Sequence, residues 1–397
     1  MTDKLDDTIV VVAAKRTALG NLMGALSGLS APEMAGFVIA DIIRESGIEP
    51  SVVDEVVMGN VLSAGQGQAP ARQATILAGL PNHVAATTIN KMCGSGLKSI
   101  MMACDQMKAN HKLNVMIAGG MESMSQAPHL IKGVRSGQKM GHTKIYDHMM
   151  LDGLEDAYDK GKAMGAFAEE CASAFSISRS DQDEYALESL SRAVASDFSN
   201  EITPISVILN KSTIDFKLDE APLMAQPDRI LSLRPAFIPN GTITAANASS
   251  ISDGAAAVML MKKSHAQKND FPILCEIKGY NSFAHAPEWF STAPISSIRQ
   301  LLGDLEWSVD DVDLFEINEA FAVVTMAAMK ELKISHDKVN IKGGACALGH
   351  PIGASGARIL VTLIHALREK NLNRGVASLC IGGGEAVSMA IEVNNEY

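Results

Sequence analysis

Gly96-Leu-Lys-Ser-Ile-Met-Met-Ala-Cys104, followed after a polar linker by Asn114-Val-Met-Ile-Ala-Gly-Gly-Met-Glu122, has a counterpart far downstream. There Gly356-Ala-Arg-Ile-Leu-Val-Thr-Leu-Ile364 leads through another polar linker to Ala377-Ser-Leu-Cys-Ile-Gly-Gly-Gly-Glu385. Both read as a helix feeding a short buried strand that stops at glycines. The likeness extends upstream, where Ser51-Val-Val-Asp-Glu-Val-Val-Met-Gly-Asn60 resembles Ser308-Val-Asp-Asp-Val-Asp-Leu-Phe-Glu-Ile-Asn318. Asn60 stands 33 residues before Cys93, and Asn318 stands 32 before His350. Such parallel spacing marks an internal duplication. Alternating strands and helices then predict an α/β protein with buried, mostly parallel sheets and helices on both faces.

Local signals fill in the halves. Ile9 to Ala13 suits a buried strand, and Ser30-Ala-Pro-Glu33 a capping box with Pro in the first turn of a helix ending at Gly47. Arg72 to Leu80 reads as a helix stopped by Pro81, and another helix begins straight after Cys93-Gly94-Ser95-Gly96. Ala377–Ile381 and Ala386–Val393 predict a hairpin. In the first half the strand 115–118 finds its partner only at 255–261. The halves are therefore 1–120 plus 249–270 and 271–397, and 121–248 is an insertion at a strand end, with Asp156 to Ala174 helical.

At 397 residues, with 47% hydrophobic and 20% charged residues, the chain is long enough for two or three packed units. A net charge of −11 argues against nucleic acid or an anionic membrane as partner. No apolar run approaches the roughly 20 residues of a membrane span. The acidic start, Met1 to Thr8, does not read as a leader, nor does the closing Asn394-Asn-Glu-Tyr397 as an address; a cytoplasmic location is expected. Six cysteines without metal-ligand spacing are expected as free thiols, and the Asn-x-Ser/Thr matches at 210, 240 and 247 as chance.

Cys93 alone reads as a small residue packed in a turn. Ahead of an apolar helix, however, helix dipole and free N–H groups favour its thiolate, drawing the thiol down from about 8.5 towards neutrality. His350 lies in the glycine-rich turn that the repeat equates with that of Cys93. Cys380 ends a strand just before Gly382-Gly-Gly384, and Asn318 reads as the start of a helix, a plain N-cap unless its context says otherwise.

In these contexts the chain resembles the thiolases over nearly its whole length. The resemblance rests on Lys91-Met-Cys-Gly-Ser-Gly96, Asn318-Glu-Ala-Phe321, Gly349-His-Pro-Ile-Gly-Ala-Ser-Gly-Ala-Arg358 and Cys380-Ile-Gly-Gly-Gly384. It implies two βαβαβαββ halves layered α/β/α/β/α with an inserted loop domain. It implies that Cys93 carries the acyl group, that His350 activates it, that Cys380 is the carbon acid/base, and that Asn318 acts through a water. The N–H groups of Cys93 and Gly382 would hold an oxyanion.

The same resemblance points to Ser249, Met164, Phe237, Ala320, Phe321 and Phe290 around CoA and the acyl chain, and to Arg229 for its phosphates. It implies acetyl-CoA and acetoacetyl-CoA as substrates, no metal or other cofactor, and a homotetramer built as a dimer of dimers. Subunit contact would fall at 126–147, where His129 and His142, with His148 just beyond, are too loosely spaced for a metal site. Ala163, Phe290 and Glu385 depart from the short-chain pattern and bear on pocket shape. The function implied is acetyl-CoA C-acetyltransferase. The alternatives are a broader-chain degradative 3-ketoacyl-CoA thiolase and a non-catalytic thiolase-like lipid-binding protein. A ketoacyl synthase is disfavoured by Cys380.

Overall fold

The computed structural model describes residues 8–209 and 211–394. The acidic first seven residues, Asn210 and the last three residues lie outside the described residues. The first half contributes β1 (Ile9–Thr17), α1 (Ala31–Ser46), β2 (Glu55–Gly59), α2 (Pro70–Leu77), β3 (Ala85–Ile89), α3 (Ser95–Ala109), β4 (Val115–Ser123) and, after the insertion, β5 (Ser252–Lys262). The insertion holds α4 (Met164–Ala174) and α5 (Arg179–Ala195). The second half contributes β6 (Cys275–Ala284), α6 (Ala293–Asp304), β7 (Leu314–Ile317), α7 (Ala322–Leu332), α8 (Ser355–Lys370), β8 (Arg374–Ile381) and β9 (Glu385–Glu392).

The strand order exposes the duplication. It runs β1-β5-β4-β2-β3 in the first half and β6-β9-β8-β7 in the second. The place matching β3 is taken by one parallel bridge, Phe315 to Val339. In each half the last strand, β5 or β9, runs against its neighbours and the others share one direction. The two sheets meet edge to edge at β1 and β6, over only the pairs Val10–Glu276 and Val11–Cys275.

Strand periodicity sorts side chains into layers. In β1, Ile9 and Val11 face the central layer with α3 and α8, whereas Val10 and Val12 pack under α1 and α2. In β8, Ala377 and Leu379 face that same central layer, whereas Val376 and Cys380 face α6 and α7. Helices α3 and α8 are thus shared by both sheets, as the middle of an α/β/α/β/α stack.

The local signals hold with instructive exceptions. The capping box at Ser30 and Glu33 forms, and Gly47 ends α1 at φ +65°. Helix α2 ends at Leu77, short of the expected Leu80. Gly79 adopts φ +79°, and Leu80 N donates to Thr75 O, so a glycine stop precedes the proline. The span from Asp156 to Ala163 is not helical. The Asp156 carboxylate accepts the N–H groups of Tyr158 and Asp159 and pinches a loop, leaving α4 to begin at Met164. Strand β4 extends to Ser123, slightly past the expected start of the insertion at 121, and β5 begins at Ser252, just after its expected end at 248. Asn247 is buried and donates to Asp183 Oδ1. Among the described residues no helix is long and apolar enough to cross a membrane.

The two central helices touch through glycine. A Cβ on Gly96 would lie 2.7 Å from Ala357 N, and one on Gly356 would lie 2.5 Å from Leu97 N. Gly96→Ala is therefore expected to destabilise the protein by about 1–3 kcal/mol. The check is a lowered urea midpoint at unchanged slope; an unchanged midpoint would show that the helices part freely.

Candidate active site

Cys93 sits on a tight turn at the joint between the halves. Gly94 N donates to Lys91 O and Ser95 N to Met92 O, at 3.1 and 2.9 Å. The Ser95 hydroxyl donates to Met92 O and accepts from Lys91 N. Met92 takes φ +49°, a left-handed conformation that costs a non-glycine residue roughly 1–2 kcal/mol. The sulfur faces a cleft of about 440 Å³ that is also lined by His350, Cys380, Gly382, Ser249, Met164, Phe237, Phe290, Ala320 and Phe321. Residues from the start and the end of the chain thereby share one cavity.

The expected low thiol pKa is not what the fold produces. Burial pushes the Cys93 thiol up to about 11, against the pull of two N–H groups at the sulfur, those of Gly382 and of Cys93 itself. Helix α3 begins only at Ser95, so the thiol stands before the helix, and among the described residues no cation pulls on it to offset desolvation.

His350 is neutral for the same reason. Burial, aided by the charge of Arg358, holds it down to about 3. Its Nδ1 is 2.5 Å from Ser355 Oγ, whose only hydrogen goes to Pro351 O at 2.9 Å. Nδ1 must then carry the ring proton and donate it to Ser355. Nε2, which has no partner among the described residues, keeps its lone pair for a proton from elsewhere. Cys380 closes the set from the end of β8, its thiol raised well above the ordinary value by burial and by neighbouring Cys93.

Asn318 is not a helix cap. Helix α7 starts at Ala322, with Phe321 as its cap, and among the described residues neither side-chain polar atom of Asn318 has a partner although the residue is buried. A buried amide in that state is disposed to hold a water or a substrate oxygen. Its loop is tied down by its neighbour: Glu319 accepts from Tyr185 Oη, Ser189 Oγ, Asn340 Nδ2 and Cys346 N, at 2.8 to 3.0 Å. Ser249 donates through both N–H and hydroxyl to Ala320 O, and Ser250 O accepts from His350 N, so the segment 249–250 stitches the two loops together.

The aromatic wall is built edge to face. Phe321 meets Phe237 with centroids 5.8 Å apart and Phe290 at 6.5 Å. Arg229 falls outside the cleft. It lines an adjoining groove of about 390 Å³ that shares Ala245 and Ser250 with the cleft. His148 is held between Asp152 and the N–H of Ala64, and among the described residues no group of His, Cys, Asp and Glu is arranged for a metal.

The sequence reading passed over Glu122. Fully buried, it accepts from Asn60 Nδ2, Val61 N, Leu62 N and Gly353 N at 2.9 to 3.1 Å, and so moors the His350 turn to the first half. Burial still pushes it up to about 7. A carboxylate straight after Gly119-Gly-Met was the available signal.

Family models for the thiolase N-terminal domain and the thiolase C-terminal domain match residues 9–264 and 271–393. The chain belongs to the thiolase family. It is 45% identical over 390 residues to the acetyl-CoA acetyltransferase of Chromobacterium violaceum, covering 97% of this chain and 99% of that one. It is 43% identical over 396 residues to a probable acetyl-CoA acetyltransferase of Dictyostelium discoideum, covering 98% and 95%. Among solved structures, the Bacillus anthracis acetyl-CoA acetyltransferase superposes with TM-score 0.94 at 37% identity, covering 98% and 99%. Human mitochondrial 3-ketoacyl-CoA thiolase superposes with TM-score 0.94 at 36%, covering 98% and 100%. The protein is therefore an acyltransferase of the thiolase type.

A neutral Cys93–His350 pair gives this thiolase a distinct titration. Alkylation of Cys93 by iodoacetamide in the free protein should climb with pH towards about 11 without levelling near neutrality. A plateau below about pH 7 would instead mark a preformed thiolate–imidazolium pair.

Proposed function

We propose that the protein is an acetyl-CoA C-acetyltransferase that joins two acetyl-CoA into acetoacetyl-CoA and CoA, and cleaves acetoacetyl-CoA in reverse. The observation that carries this is the Cys93 sulfur lying beneath the N–H groups of Cys93 and Gly382, in one cleft with the free Nε2 of His350 and with Cys380. The names of the acetyl-CoA acetyltransferases it resembles support the acyl group chosen.

In the first half-reaction His350 Nε2 takes the Cys93 proton as sulfur attacks the thioester carbonyl, and the two N–H groups receive the oxyanion. CoA leaves as the thiol with the proton of Cys380, leaving Cys380 a thiolate. Its burial, which raises its pKa, makes that thiolate a strong base. This suits removal of a proton from the methyl carbon of a second acetyl-CoA, a very weak acid. The enolate oxygen is met by the His350 imidazolium and a water on Asn318. The enolate carbon then attacks the acetyl group on Cys93, whose sulfur recovers its proton from His350. The cycle uses these side chains and two CoA thioesters, with the CoA arm passing Ser249, Met164 and Phe237. The adjoining groove beside Arg229 would take its phosphates.

The second reading, a degradative 3-ketoacyl-CoA thiolase of broader chain length, is favoured by the equal superposition on the human mitochondrial enzyme. Cytoplasmic location and a homotetramer through 126–147 belong to the same proposal as the acetyltransferase, and light scattering in solution tests the mass. CoA-dependent cleavage of acetoacetyl-CoA against C8–C10 3-ketoacyl-CoA, as kcat/KM, decides the chain length. A strong C4 preference is expected, with Phe290 closing the pocket; comparable turnover of the longer chain favours the second reading.

Cys93→Ala should abolish labelling by acetyl-CoA, and full labelling of another cysteine would end the assignment. Cys380→Ser should slow that acylation only modestly, because CoA can depart as a thiolate without its proton, while lowering condensation by at least about a hundredfold, the scale of a lost general base. Equal loss of both steps would count against Cys380 as the carbon base.

A further inference from the structure

The turns that carry the two N–H donors are linked by charge. Lys91, two residues before Cys93, forms an ion pair through Nζ with Oε2 of Glu385, three residues after Gly382, their side chains 29% and 31% exposed. Each charge is built into its turn. The N–H and carbonyl of Lys91 are both used in folding the nucleophile turn. Glu385 pairs with Ile381 across the glycine turn and with Ala284 on the other side. Among the described residues no other ion pair joins the two turns.

Both turns hold unusual backbone: Met92 at φ +49° on one side, Gly383 and Gly384 at +98° and +85° on the other. Met92 is strained there, while the glycines adopt positive φ at no steric cost and leave their turn free to move, so neither turn holds its shape by its own preference. A restraint between them fixes how far apart Cys93 N and Gly382 N stand at the sulfur.

We propose that the Lys91–Glu385 ion pair is a clasp that sets the spacing of the two N–H donors, making both residues positioning residues for acyl transfer. Its catalytic meaning rests on the reading of Cys93 as acyl carrier; its geometric meaning does not. Neither residue lines the cleft, and the pair acts through backbone, so it should change the rate at Cys93 and leave thioester binding alone. At this exposure an ion pair contributes at most about 1 kcal/mol, so effects of about two- to fivefold are expected.

The test compares wild type, Lys91→Met, Glu385→Gln and the charge-swapped Lys91→Glu/Glu385→Lys protein. The rate of iodoacetamide alkylation of Cys93, followed by peptide mass mapping, is measured at fixed pH and at low and molar salt. Each single variant should react about two- to fivefold more slowly, because its thiolate loses part of its N–H support. The swap should recover the rate, and high salt should slow the wild type towards the single variants without moving them. In acetyl transfer, kcat should follow the same order with KM held.

Single variants that alkylate like wild type, or a swap as slow as they are, overturn the clasp. So does a raised KM with kcat intact, which would make Lys91 a contact for CoA. Failure of acetyl-CoA to label wild-type Cys93 would remove the acyl-transfer reading, while the alkylation series would still decide the clasp.

Discussion

The site depends on the close crossing of two helix starts. Gly96 on α3 and Gly356 on α8 each face the other helix's backbone, at a separation where a single methyl group on either would collide. Because both helices are shared by both sheets, this contact fixes the distance between the halves. It also fixes the turns just before each helix, one carrying Cys93 and the other His350. Duplication put equivalent turns on equivalent helices, and the glycine crossing made them neighbours.

Desolvation then sets the resting chemistry. The cleft forms where the two halves and the insertion meet, so burial holds Cys93, His350 and Cys380 in their uncharged forms. A neutral site does not keep a thiolate exposed to oxidants or stray electrophiles between turnovers. It also leaves the Nε2 lone pair unused, and the two N–H groups on an uncharged sulfur, until charge develops, which is when fixed dipoles contribute most. The tautomer of His350 is not left to chance, because the Ser355 hydroxyl spends its proton on Pro351 O.

Holding flexible glycine turns to within fractions of an ångström is the work of buried carboxylates. Glu122 gathers four N–H groups from both halves, and Glu319 gathers donors from α5, from Asn340 and from the turn at Cys346. Each such group is costly to bury unless every lone pair is used, and that cost ties the loops to one arrangement. The insertion is thereby part of the second half's support as well as a cover over the cleft.

The sequence by itself determined the duplication, the order of strands and helices, the hairpin pairings, and three residues, Cys93, His350 and Cys380, that the fold brings into one cleft. The duplication and the elements follow from local periodicity and from repeats in spacing, which the chain carries without reference to its fold; the site residues were singled out by the resemblance to the thiolases. It misjudged what depends on neighbours distant along the chain. The thiol of Cys93 is raised because burial by both halves outweighs a helix that starts two residues later. Asn318 points into the interior, where a local rule would have made it a cap. Asp156 bends a loop where composition suggested helix. Which groups are desolvated, which lone pairs are left unpaired, and which charges meet across the cleft were decided only by tertiary structure, since burial and electrostatics are properties of the packed whole.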